Sequence, residues 1–277
     1  HETLFRGMFR KDRLLDIIQN FILFSDDRKI LAQYHQYFGV KKAITSTVTR
    51  GVKTGKAGIL WHTQGSGKSF SMVFYSGNMI KLLNNPTIVV VTDRNDLDNQ
   101  LYGQFLKCSR FLRQEPVQAT CRKLGLHSSK EDVGLMDWLN GRQANGIIFT
   151  TMQKFEEAEE PLSERRNIIV MADEAHRGQY GLKEKVDTKT GKIKIGTARV
   201  IRNNLPNATY VGFTGTPISL KDRSTKEVFG NYIDIYDMTQ AVEDGATRPV
   251  YYESRVIKLN LDEDTLKLID SEYDVMA

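Results

Sequence analysis

Between an apolar run, Gly58-Ile59-Leu60, and a helix-like stretch, Ser69 to Leu83, lies Trp61-His62-Thr63-Gln64-Gly65-Ser66-Gly67-Lys68-Ser69. Strand, glycine-rich turn and helix in immediate succession leave a chain few options. The glycines allow backbone conformations that a Cβ forbids and let main-chain N–H groups come close to an anion. The following helix adds the positive end of its dipole at the same point. Such a turn suits a polyphosphate: Lys68 would reach the β- and γ-phosphates of a nucleotide and the Ser69 hydroxyl would bind Mg²⁺. The general pattern asks for glycine five residues before Gly67, where this chain has His62. The alternative is a Gly/Ser turn that merely precedes a helix.

The rest of the sequence repeats the same alternation. Short runs rich in Ile, Val or Phe fall near 57–61, 87–92, 147–150, 167–172 and 209–213, and they predict strands buried on both faces. Helical stretches are predicted at 69–83, 95–107, 129–140 and 198–204. Strands alternating with helices predict an α/β fold, a parallel sheet flanked by helices. Ligands of such sheets bind at the carboxyl ends of the strands. The phosphate loop, Thr92-Asp93-Arg94, Thr150-Thr151, Asp173-Glu174 and Thr214-Gly215-Thr216 all fall at those ends.

Before the first of these strands, Leu14, Leu15, Ile17, Ile18, Phe21, Ile22 and Phe24 predict an amphipathic helix within residues 1–25. Tyr34-His35-Gln36-Tyr37-Phe38 is expected on or beside a second helix, and the polar, Gly-containing residues 45–58 read as a loop. Residues 1–44 are therefore expected to be a helical lead-in, 45–248 the nucleotide-binding domain, and 249–277 the start of a connection.

Two carboxylates end the strand-like run 167–172. In a chain with a phosphate loop, Asp173 is suited to the Mg²⁺ sphere and Glu174 to accepting a proton from the attacking water. Capping of a following helix is the plainer alternative. His176 lies too far along the turn to be a first-choice base and is better placed to relay nucleotide state. Thr214-Gly215-Thr216-Pro217 reads either as a common turn or as a pair of hydroxyls linking the acids to a bound strand. Asp93-Arg94-Asn95-Asp96 reads either as a charged helix start or, through Arg94, as a backbone-phosphate contact. Residues 183–202 carry seven Lys or Arg against two acids, an excess equal to the net charge of +5 for the whole chain. Thr190-Gly191 and Lys192-Ile193-Lys194-Ile195 predict a hairpin there, either a solvated surface feature or an arm that contacts phosphates.

Composition bounds the remaining possibilities. Apolar residues make up 40% and charged residues 26% of 277, ordinary for a globular chain. No uninterrupted apolar stretch is long enough for a membrane span. Cys108 and Cys121 form no CxxC pair, so a disulfide framework or a cysteine zinc site is unsupported and a reducing compartment is expected. The other histidines lack metal-ligand spacing, and no Ser-His-Asp or Cys-His arrangement can be argued.

In order, His62–Ser69, Val91-Thr92-Asp93-Arg94, Phe149-Thr150-Thr151-Met152-Gln153, Asp173-Glu174-Ala175-His176 and Phe213-Thr214-Gly215-Thr216-Pro217 resemble the first-domain motifs of superfamily 2 helicases. More narrowly, Leu14–Phe21, Tyr34-His35-Gln36-Tyr37, Trp61–Ser69 and Asp173–Arg177 look like the motor subunit of type I restriction enzymes, in which His62 is the usual residue. The resemblance implies a RecA-like P-loop NTPase domain that uses ATP and Mg²⁺ to pull double-stranded DNA without separating its strands. It implies that Gln36 reads adenine, that Thr63, Gln64, Gly65, Ser66, Gly67, Lys68 and Ser69 hold the nucleotide, and that His176, Thr214, Thr216, Arg94 and Thr151 couple it to DNA. It further implies a bacterial cytoplasmic complex with modification methyltransferase and specificity subunits. The family's nuclease motif, which includes Glu-x-Lys, does not occur in the sequence, and after Pro217 too few residues remain for a second RecA-like domain. The chain is thus expected to be a first motor domain from a larger subunit. Rival expectations are a strand-separating helicase or a remodeller-type motor, and a nucleotide-binding switch without motor activity.

Overall fold

The computed structural model describes residues 4–92, 95–122, 134–155, 160–175, 185–186, 193–194, 197–216 and 223–248. The chain divides into two compact units, His1–Thr247 and Arg248–Ala277, and the architecture below is that of the first.

After a π-helical turn at Leu4–Met8, the lead-in consists of α1 (Lys11–Asn20), a hairpin of β1 (Ile22–Ser25) and β2 (Arg28–Leu31), and α2 (Tyr34–Ser46). The single helix predicted to residue 25 is therefore a shorter helix followed by a strand. Phe21-Ile22-Leu23-Phe24 fits either period. The chain leaves the helix at Phe21 (φ −133°), and Asp26 (φ 51°) sits in the turn of the hairpin. Leu23 then faces the core while Phe24 is exposed, an alternation of period two.

Residues 45–58 also differ from the loop predicted. α2 runs to Ser46 and passes through a π-helical turn, Thr47–Gly51, into α3 (Val52–Thr54). The polar residues that suggested a loop satisfy the helix itself. The Thr47 hydroxyl donates to the Ala43 carbonyl at 2.8 Å and also meets the buried Tyr75 hydroxyl at 2.7 Å. Thr49 donates to the Thr45 carbonyl at 2.7 Å. Gly55, at φ 72°, ends the segment and admits the strand.

The main unit continues with β3 (Lys56–His62), α4 (Lys68–Leu82), β4 (Thr87–Thr92), α5 (Asn95–Lys107), α6 (Ser109–Leu112), β5 (Val117–Gln118), α7 (Leu135–Asn140), β6 (Ile147–Thr151) and β7 (Ile168–Ala172). It closes with β8 (Lys185–Val186), β9 (Ile193–Lys194), α8 (Thr197–Asn204), β10 (Thr209–Thr214), α9 (Arg223–Phe229), β11 (Tyr232–Tyr236) and α10 (Met238–Glu243). Seven strands form one parallel sheet in the order β11-β3-β10-β7-β4-β6-β5. The five strands predicted are its centre; β11 and β5 are additions at its two edges. β8 and β9 pair antiparallel, Lys185 opposite Lys194, as the predicted hairpin requires, and its Thr190-Gly191 turn lies outside the described residues. Residues 129–133 of the predicted helix 129–140 also lie outside them.

Every residue of β4, β6, β7 and β10 is buried. Along β4, Ile88 and Val90 join one apolar layer and Val89 and Val91 the other, so a continuous apolar run feeds helices on both faces. The first layer includes Ile17, Phe21, Leu23, Tyr37, Val40 and Ala43 of the lead-in, packed with Met72, Phe74 and Tyr75 of α4. At about 1.5–3 kcal/mol for each large aliphatic or aromatic side chain buried, this shared layer ties α2 to α4.

Candidate active site

In a parallel sheet all carboxyl ends lie on one edge. Here β10 sits between β3 and β7, with Thr214 beside Trp61 and Gly212 beside Ala172. The sheet order therefore brings together the turn after His62, the turn after Ala172 and the turn after Thr214, three segments far apart in sequence. Thr151 ends β6 two strands further along, buried and opposite Thr92. Arg94 and His176 lie outside the described residues.

Gly65 (φ 82°) and Gly67 (φ 76°) both occupy the left-handed region, where other residues are strained. A Cβ on Gly67 would stand 2.5 Å from Gln36 Nε2, whereas the same position on Gly65 faces open space. The carbonyls of the turn are drawn inward. Ser66 donates to the Thr63 carbonyl through its N–H (3.3 Å) and its hydroxyl (2.6 Å). The Ser66 carbonyl accepts from His35 Nε2 (2.9 Å) and Gln36 Nε2 (3.3 Å), and the Gly67 carbonyl accepts from Gln36 Nε2 (3.0 Å). The open side is left with exposed Gln64 and Gly65 and the N-terminal end of α4, an arrangement that favours an anion. Ser69 follows Lys68 in the first turn of α4, half-buried.

Across this turn stands Glu174, whose φ of 49° is left-handed, a conformation that costs about 1–3 kcal/mol outside glycine. The surrounding chain enforces it. The Asp173 N–H is held by the Val91 carbonyl (3.0 Å) and the Ala175 N–H by the Phe213 carbonyl (3.1 Å), while Ala175 is buried. The reversal directs the Glu174 carboxylate over β10, 3.8 Å from Lys68 Nζ. Gly215 makes the approach possible, because a Cβ there would lie 2.6 Å from that Nζ. The Glu174 N–H donates to Asp173 Oδ1 at 3.0 Å. The buried Thr214 hydroxyl donates to the Thr216 carbonyl (3.0 Å) and accepts the Thr216 N–H (3.2 Å), and Thr216 itself is exposed.

These groups suit Mg²⁺ and a nucleotide. The loop is open beside Gly65, Lys68 is held by one loose ion pair, and Ser69 and Asp173 lie on the turns after β3 and β7, on either side of β10 at the same edge. Among the described residues no cluster of three His, Cys, Asp or Glu forms. Mg²⁺ bound by one or two protein oxygens and by phosphates needs none.

The sequence reasoning missed a buried layer beneath the loop. The His62 ring does not enter the loop; it is 1% exposed and turns back to Asp234 of β11, Nε2 to Oδ2 3.0 Å. Lys42 takes the other carboxylate oxygen at 2.5 Å. Burial pushes the Asp234 carboxyl up, but hydrogen bonds from His62 and Lys42 outweigh it and hold the group below the ordinary carboxylate range. The Tyr236 carbonyl accepts the Thr63 N–H at 2.9 Å, and its ring stacks on His35, centroids 3.9 Å apart and 7° from parallel. The alternating Tyr232-Ile233-Asp234-Ile235-Tyr236 was the available signal for this strand. Gln36 lies beside the loop, with its Nε2 on loop carbonyls and its Oε1 accepting the Gln33 N–H at 2.9 Å.

The family model of the SWI2/SNF2 ATPase matches residues 35–277, from α2 onward. The chain belongs to the SWI2/SNF2 ATPase family. This SWI2/SNF2 ATPase is 47% identical over 281 aligned residues to the type I restriction enzyme HindI endonuclease subunit of Haemophilus influenzae, across 96% of this chain and 26% of that protein. It is 38% identical over 289 aligned residues to a Methanocaldococcus jannaschii protein provisionally named as the MjaIXP type I restriction enzyme endonuclease subunit, across 100% of this chain and 24% of that protein. The chain thus spans about a quarter of the length of these relatives. The resemblance to the type I restriction motor subunit is borne out in sequence. In fold, the chain is similar to the UvsW helicase of bacteriophage T4, with a TM-score of 0.52 and 16% identity over 81% of this chain and 67% of that one. The RecA-like sheet expected from the motifs is therefore the fold of this SWI2/SNF2 ATPase.

Proposed function

We propose that this chain is the ATP-binding first motor domain of an ATP-dependent double-stranded DNA translocase, within the motor subunit of a type I restriction endonuclease. The observation that carries the reading is the convergence of Lys68 and Glu174, at 3.8 Å, over an open glycine turn that begins a helix. Lys68 binds the β- and γ-phosphates, with the backbone of Thr63 to Ser69 around them. Ser69 and Asp173 hold Mg²⁺, which when bound neutralises phosphate charge. Glu174 orients the attacking water and accepts its proton at the carboxylate. Gln36 contributes to the base side of the site. Thr214, Thr216, His176, Arg94 and Thr151 belong to the coupling of this site to DNA. Residues 45–248 are the motor domain, 1–44 its lead-in and 249–277 the connection onward. The partners are double-stranded DNA and the methyltransferase and specificity subunits, in the bacterial cytoplasm.

The test uses the full-length subunit with its partner subunits. Expected are ATP hydrolysis stimulated by double-stranded DNA, displacement of a triplex strand ahead of the motor, and no strand separation of a forked duplex. Lys68→Ala abolishes hydrolysis and triplex displacement. Unwinding of the fork points instead to a helicase, and nucleotide binding without turnover to a switch.

A further inference from the structure

A phosphate loop works by the direction of its peptide groups. N–H groups must face the anion, and a carbonyl turned the other way would set a partial negative charge against the phosphates. The Ser66 carbonyl, at the centre of the turn, is the peptide group most exposed to that error, because glycines flank it on both sides at left-handed φ. Two side chains hold it. Gln36 does so at 3.3 Å while sharing its amide with the Gly67 carbonyl, and His35 does so at 2.9 Å. A carbonyl oxygen only accepts, so His35 Nε2 carries the hydrogen.

His35 is itself fixed. It is buried, and its ring lies flat on Tyr236, 3.9 Å between centroids, with Tyr34 and His62 edge-on at 5.6 and 5.7 Å. Tyr236 is anchored in turn by its hydroxyl on Asp244 Oδ2 at 2.9 Å and by its carbonyl on the Thr63 N–H. The end of β11 thus grips the loop twice, at Thr63 through backbone and at Ser66 through a stacked ring. We propose that His35 is a positioning residue of the nucleotide site: stacked on Tyr236, it holds the Ser66 carbonyl inward so that the loop presents N–H groups to the phosphates. Burial lowers the pKa of the His35 ring, so the neutral Nε2–H form is the one that holds the carbonyl. This rests on the reading of the loop as an ATP site.

The experiment measures ADP affinity by titration, and KM and kcat for ATP, on the full-length subunit. His35→Phe keeps a ring on Tyr236 and removes the donor. His35→Gln supplies an amide donor that reaches the position of Nε2. Expected for His35→Phe is a rise of about tenfold in the Kd for ADP and the KM for ATP, the size of one lost hydrogen bond, with kcat changed less than about threefold. His35→Gln returns both to within about threefold of wild type. Wild-type ADP affinity in His35→Phe overturns the proposal, and so does equal impairment of both variants, which would make the residue a packing element. Should His35→Phe fail to fold, Tyr236→Leu leaves the donor but frees its ring, and unchanged affinity there overturns the proposal equally. Lys68→Ala separates the two levels: if it too binds ADP like wild type, the ATP site itself is misread; if it alone loses ADP, only the role of His35 falls.

Discussion

Gly39 and Gly103 both lie inside helices, and the same substitution is expected to act on them with opposite sign. Alanine is favoured over glycine in a helix interior by about 1 kcal/mol. At Gly103, in α5, nothing lies within 4 Å of the new Cβ, so that gain stands alone. At Gly39, in α2, the Cβ would meet His62 Cε1 at 2.8 Å and both His62 Nε2 and Asp234 Oδ2 at 2.9 Å. These last two atoms are partners in one hydrogen bond, and the methyl group would press on both of them. The His62 ring has little room to retreat, since it is 1% exposed and packs near His35 and Tyr236. Overpacking a filled site costs about 1–3 kcal/mol, and a weakened bond to a charged group adds up to about 1.5–3. Less the helix gain, net destabilisation of up to about 5 kcal/mol follows for Gly39→Ala, against stabilisation of up to about 1 kcal/mol for Gly103→Ala. At about 3 °C per kcal/mol for a chain of this size, melting followed by circular dichroism should show a fall of up to about 15 °C for the first and a rise of up to about 3 °C for the second. A Gly39→Ala variant that melts at or above the wild type would refute the packing argument beneath the loop.

Asp173→Asn should weaken Mg²⁺-dependent nucleotide binding, whereas Glu174→Gln should leave binding near wild type and lower kcat by about 10²–10⁴-fold, the range for one general base; equal loss of affinity in titrations of both contradicts separate roles. Asp234 is held below the ordinary carboxylate range, so its stabilising contribution is complete above the unfolded value of about 3.9 and is lost as pH falls through the lower folded value. Acid melting curves of Asp234→Asn should therefore be flatter below about pH 4, and a slope equal to wild type refutes the pairing with His62 and Lys42. If the 183–202 hairpin touches DNA phosphates, neutralising Lys189, Lys192 and Lys194 lowers the salt slope of DNA affinity by up to about 0.9 for each phosphate left without its lysine, and an unchanged slope returns the hairpin to solvent.

What could be read from the sequence was set by how local each signal is. β4, β6, β7 and β10 are buried along their whole length, so each appears as a short, mostly apolar run with no charged residue whatever surrounds it. Lys68 and the Asp173-Glu174 pair each sit in a short motif that can be recognised without its surroundings, and the sheet order brings the two motifs to one edge. β11 has no such run. It lies at the sheet edge with Ile235 exposed and Asp234 at its centre, and that charge is tolerated because His62 and Lys42, distant in sequence, answer it. The stack of His35 on Tyr236 depends on β11 lying next to β3, a topological fact no local pattern carries. Likewise Thr47 looked like a loop residue because its buried partner, Tyr75, belongs to another helix.

The geometry of the loop edge bears on what residues 1–277 can do alone. Lys68, Ser69, Asp173 and Glu174 all project from one edge of one sheet, and Lys68 and Glu174 neutralise each other across 3.8 Å. A phosphoryl group held from that face alone stays hydrated on the other, where charge develops during transfer. The resemblance to superfamily 2 motors implies a second RecA-like domain that would close over that face and bring an arginine. An arginine in that position is worth about 10³–10⁵ in rate, and closure adds alignment of the attacking water. The chain spans about a quarter of the length of its relatives, which leaves those proteins room for such a domain. Residues 1–277 should therefore bind Mg²⁺–ATP weakly and release phosphate at least about 10³-fold more slowly than the DNA-stimulated subunit, whether or not duplex DNA is present. Phosphate release measured on both proteins at several concentrations decides the matter. Brisk DNA-dependent turnover by the short chain, linear in its concentration, would mean that the one-sided site is already complete; turnover that rises with the square of concentration would trace the missing charge to a second copy.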